Sequence, residues 1–216
     1  MLRDLYTVDI LTLTFIGCLI IVALSKSLFT KRFNEFILLL FNSRHTNQYI
    51  KEQRFFDLFE GLLFLNFIIN LGLLLHTYLS NQASNAIPQM DVFKYALLIG
   101  LFLILKVLFE RLLSSVLDIE PIIDKYIFEK TSFQNFIGLL LLPLNALLIY
   151  SIPPSHIVLI TLLAILLSIQ LFGLFLFIKN NLNVFRKSLF YFILYLCTLE
   201  IAPYVVLYKI ITTNWV

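Results

Sequence analysis

The chain is poor in the residues that build soluble catalytic or redox centres. It has only two cysteines, Cys18 and Cys197, each inside an apolar run and far from the other in sequence. That excludes a CxxC redox pair or a thiolate metal site and leaves both as small buried hydrophobes. Charged residues make up 13% of the chain, against about 25% in soluble domains. The formal net charge is +3, too small for nucleic-acid binding when the basic residues are spread over loops. Six glycines and six prolines are scattered, with no GxGxxG, no Walker loop and no GxxxG. HExxH and GxSxG are missing as well, so none of the common enzyme signatures is present.

What fills the chain is apolar. Hydrophobic residues account for 60% and the mean hydropathy is +0.93, and apolar stretches near the length of a membrane crossing recur. The expected fold is an all-α, six-transmembrane-helix bundle forming one domain over residues 1–216. The predicted spans are 10–25, 56–78, 92–113, 136–152, 157–178 and 189–211. The first run lacks a basic segment before it and a small-residue exit after it, so it reads as a retained helix rather than a cleaved signal.

Two further helices are expected on the membrane surface. Phe33 to Phe41 is apolar but too short to cross, which suits an interfacial or partly buried helix. After Pro121, a residue suited to a helix first turn, Ile122, Ile123, Tyr126 and Ile127 repeat at helical spacing, so a short amphipathic or connector helix is expected there. The IPPSH turn, Ile152 to His156, cannot continue a helix and makes the fourth and fifth spans an antiparallel hairpin.

Orientation follows from the charges. Of the 16 lysines and arginines, only Arg3, Lys94 and Lys209 fall on the side of the termini. The positive-inside rule then puts the other thirteen in the cytoplasm and both termini outside.

Several polar groups lie within the spans. A rise of about 1.5 Å per residue puts Asn66 and Asn145 roughly 15 Å from the cytoplasmic end and Glu200 roughly 17 Å, near the middle of a core about 30 Å thick. Asn70 and Gln170 sit about a turn away. Cys197, Glu200 and Tyr204 share one helix face, and Pro203 kinks that helix beside Glu200. An ionisable group at such depth costs roughly 2.5–3.5 kcal/mol, so it has a partner or a task. Glu200 therefore either gates a proton or polar solute, or serves as a hydrogen-bond hub locking helices together.

A second set, Glu60, Lys106, Glu110 and Arg111, approaches a common depth on the cytoplasmic side. Lys106 can snorkel to the interface there, making a helix-end charge network. His76 and His156 fall on the outer side with no carboxylate nearby, so no metal is assigned. No catalytic residue or cofactor is assigned either.

Three stretches are more specific: YIFEK (Tyr126 to Lys130), NFIGLLLLPLNALLIY (Asn135 to Tyr150) and LFYFILYLCTLEIAPYVVLYK (Leu189 to Lys209). They resemble a family of six-helix inner-membrane proteins of Bacteroidota, domain of unknown function 4271, most clearly over the C-terminal half. The resemblance implies a bacterial inner membrane and an important Glu–x–x–Pro turn, but no activity. The expected partners are the lipid bilayer and other membrane proteins or further copies of the chain. The expected function is a non-enzymatic component of a cell-envelope complex. The alternatives are a small transporter or channel using the midplane site around Glu200, and, third, an intramembrane lipid-modifying enzyme.

Overall fold

The computed structural model describes residues 9–41, 58–82, 88, 90–116, 120–151 and 155–180. These form six helices: α1 (Asp9–Leu28), α2 (Thr30–Phe41), α3 (Leu58–Gln82), α4 (Asp91–Val116), α5 (Glu120–Tyr150) and α6 (His156–Asn180). The predicted span 189–211, with Cys197, Glu200, Pro203 and Tyr204, lies outside the described residues.

The first helix extends beyond its predicted end at residue 25. Ser25 and Ser27 lie in its last turn, where each hydroxyl donates to the carbonyl of a residue three or four earlier, Ile21 or Leu24. Helix α2 then continues with only a turn at Phe29, whose N–H donates to Ser25 O and whose carbonyl accepts from Phe33 N–H. Phe29, Phe33 and Phe36 surround the Phe59 ring edge-on at 5.9, 6.4 and 6.1 Å. Helix α2 thus buries Phe33 and Phe36 against the start of α3, and edge-to-face aromatic pairs of this kind contribute about 0.5–1.5 kcal/mol beyond area burial.

Helix α3 is the hub, packing most extensively on α5 and α4 and then on α1. Small residues allow the closest approaches. A Cβ on Gly138 would lie 2.7 Å from Phe67 Cα, and one on Gly72 would lie 2.9 Å from Ala96 Cβ. With no hydrophobic force acting between helices inside lipid, such close backbone packing is a main source of association.

Helix α4 buries one stripe, Val92, Ala96, Gly100, Leu103, Lys106, Glu110 and Ser114. The spacing is helical throughout, but the chemistry changes from apolar to charged after Leu103. Its other faces expose Leu97, Leu101, Leu105 and Leu112. Helices α1 and α6 likewise present Leu13, Ile20, Ile165 and Phe172 outward. A water-soluble monomer rarely exposes apolar surface on this scale.

The largest departure from expectation is α5. The connector helix predicted after Pro121 and the span predicted over 136–152 form one uninterrupted helix, Glu120–Tyr150. Residues 126–130 are all buried, which covers every face of a 3.6-residue turn. Tyr126 therefore packs against Phe177 of α6, ring centroids 5.3 Å apart, rather than lying on a membrane surface. Thirty-one residues make a rod of about 46 Å, longer than the roughly 30 Å hydrocarbon core. Pro143 sits inside the helix with its ring outward and does not end it. Five helices, α1, α3, α4, α5 and α6, are long and apolar enough to cross a membrane.

Candidate functional site

Two polar layers cross the bundle. The first joins α3 and α5. Asn70 Nδ2 donates to Asn66 O at 2.9 Å and to Asn66 Oδ1 at 3.0 Å. Asn145 Nδ2 in turn donates to Asn70 O at 2.9 Å and to Asn70 Oδ1 at 3.2 Å. Because backbone carbonyls only accept, they fix both amide orientations, and the ladder has one direction, Asn145 to Asn70 to Asn66. All three side chains are at most 1% exposed. The ladder ends in Asn66 Nδ2, a buried donor with no hydrogen-bond partner among the described residues.

Helix α1 joins the same layer through Cys18, a fully buried free thiol set beside the Asn70 side chain. Hydropathy makes Cys18 look like one more small apolar residue, so its role is invisible until α1 is docked on α3. The amides and thiol carry no charge at neutral pH, so the layer can orient a polar group or hold helices, but by itself it supplies no acid or base.

The second layer is ionic. Lys130 Nζ lies 2.7 Å from Glu110 Oε1 and 5.5 Å from the Tyr126 ring centroid, while Lys106 Nζ lies 4.0 Å from the same Oε1. The side chains of Lys106, Glu110 and Lys130 are 3%, 0% and 5% exposed. Lys106 therefore turns into the bundle instead of snorkelling outward, because Glu110 one turn away offers a charge partner that the apolar outer face lacks.

Of the four residues expected to form the charge network, Lys106 and Glu110 meet. Arg111 points elsewhere, its Nε 3.5 Å from Asp124 Oδ1 in a partly exposed pair. Glu60 lines a groove beside Arg111. Lys130 is the member that sequence reasoning missed, having counted it only among the thirteen cytoplasmic basic residues. Gln170 of α6 does not reach the asparagine ladder. Together with Glu129, Lys130 and Tyr126 it lines a void of about 10 Å³ between α5 and α6, close to the minimum for one water molecule.

A helical bundle with five span-length apolar helices, apolar outer faces and its polar groups turned inward is a multi-pass membrane protein. The chain belongs to the family described as a domain of unknown function (DUF4271), which matches residues 11–211. No curated protein and no solved structure matches it.

Proposed function

We propose that the chain is a non-enzymatic integral component of a cell-envelope complex in a bacterial inner membrane, a single polytopic domain with both termini periplasmic. The observation that supports this reading is the asparagine ladder. Asn145 donates from α5 to Asn70 of α3, and Asn70 donates within α3 to Asn66, so two of the three amides serve to fasten α5 onto α3 rather than to line an open substrate path. The outward apolar faces of α1, α4 and α6 then serve contact with lipid and with neighbouring membrane proteins. Reciprocal affinity purification in mild detergent is the test: the same envelope proteins should co-purify in fixed proportion from either tagged partner. Recovery of the chain by itself from both directions would reject the reading.

A second reading, a small transporter or channel with a site around Glu200, draws on one observation. Asn66 Nδ2 is a buried donor with no hydrogen-bond partner among the described residues, at the depth where the sequence puts Glu200. Solute or proton flux into vesicles containing the purified chain, abolished by Glu200→Gln, would favour this reading over the first.

A further inference from the structure

A groove of about 200 Å³ lies between α3, α4 and α5, toward the end of the bundle that carries Arg111. Phe64, Ile104, Leu108, Ile127 and Phe128 form most of its wall, and its polar residues are Glu60, Arg111 and Thr131. Ile104 and Arg111 are two turns apart on α4, so the groove runs about 10 Å from its charged mouth toward the middle of the bundle. Ile104 and Leu108 are half exposed on the outer face of α4, which opens the groove sideways.

Gly61 supplies the second observation. A Cβ there would meet nothing within 4 Å. Gly72 and Gly138 are needed for close helix contact, whereas Gly61 weakens its helix with no neighbour to accommodate. Its effect is to leave the groove open.

We propose that this groove is a phospholipid site in which one acyl chain lies along the apolar wall, the phosphate meets Arg111 and a head-group ammonium meets Glu60. The charges argue for this occupant: a guanidinium and a carboxylate lining one apolar slot match a zwitterionic amine-bearing head group above a hydrocarbon tail. The volume agrees, being below the roughly 300–1,000 Å³ of sites that enclose a whole small molecule and suited to part of one chain. The Asp124 contact does not compete strongly. A partly exposed ion pair is weak, and a guanidinium has further N–H donors that bind phosphate well.

The test uses the full chain, delipidated in detergent, titrated with dioleoyl phosphatidylethanolamine or dioleoyl phosphatidylglycerol and weighed intact by native mass spectrometry. The wild-type chain should retain the ethanolamine lipid more strongly. Gly61→Leu and Leu108→Trp, filling the groove from opposite walls, should each weaken retention about tenfold, a 1.4 kcal/mol change. Arg111→Gln should weaken both lipids, and Glu60→Gln should reverse the preference toward the glycerol lipid. Circular dichroism identifies any variant that loses its helices, and the other filling variant then carries the test. Unchanged retention in a folded filling variant overturns the proposal, as does an unchanged preference in Glu60→Gln. A change in oligomer mass with constant lipid adducts would mean that a second copy covers the groove, and would overturn it too.

Discussion

Lys130 Nζ stands 2.7 Å from Glu110 Oε1 across the α4–α5 contact, with both side chains almost wholly shielded. The two residues are twenty positions apart in the chain, and the packing of α5 against α4 brings them together. Lys106 approaches the same carboxylate oxygen from its own helix, so one anion serves two cations.

That arrangement predicts an asymmetry. Removing one partner of a buried pair costs about 3–5 kcal/mol because a charge is stranded, whereas replacing both by apolar residues is often neutral. Glu110→Gln removes the anion that two ammonium groups share and should destabilise more than Lys130→Met, which leaves Lys106 beside the carboxylate. The double variant Glu110→Leu/Lys130→Met should fall between wild type and Glu110→Gln. Thermal unfolding in a fixed detergent reads the order.

The asparagine ladder makes a second prediction. Asn70 donates and accepts at the centre, so Asn70→Leu should lose more stability than Asn66→Leu, which removes only the end of the chain. Interhelical hydrogen bonds in membranes average about 0.6 kcal/mol and reach about 1.7, so Asn70→Leu should lose about 1–2 kcal/mol. Reversible unfolding in mixed micelles would measure both. A larger loss for Asn66→Leu would show that its Nδ2 donor has the more important partner.

Glycines with different surroundings should respond differently. Gly138→Ala would set a Cβ 2.7 Å from the Phe67 backbone, an overpacking that typically costs about 1–3 kcal/mol. Gly61→Ala meets open space and gains helix propensity of up to about 1 kcal/mol. Melting of the two variants should therefore shift in opposite directions.

The charge distribution makes a topological prediction. Ser84→Cys, in the polar stretch between α3 and α4, should react with a membrane-impermeant maleimide on intact cells. Ser115→Cys, at the end of α4, should react only after permeabilisation. The reverse pattern would invert the assigned orientation.

Much of this was readable from residue order. Five apolar runs long enough to cross are span-length helices, and each extends past its apolar run at one or both ends, because polar residues such as Lys26, Asp91 and Asn81 suit head-group depth as well as water. The connector before Ile137 was not readable. Asp124, Lys125, Glu129, Lys130 and Gln134 make it look like surface chain, yet the helix continues through it because α3, α4 and α6 pack around it.

Depth along a helix follows from a fixed rise per residue, so the sequence determined by itself that Asn66, Asn70 and Asn145 lie at similar heights, and that the chain crosses a membrane repeatedly. Which face each helix turns inward is a different question. A hydropathy pattern that is apolar all round leaves the rotation about the helix axis undecided. Only the tertiary structure set Cys18 beside Asn70, paired Lys130 with Glu110 and left Gly61 facing open space, because those contacts depend on how neighbouring helices dock, and docking is set by close packing between helices rather than by the composition of any one of them.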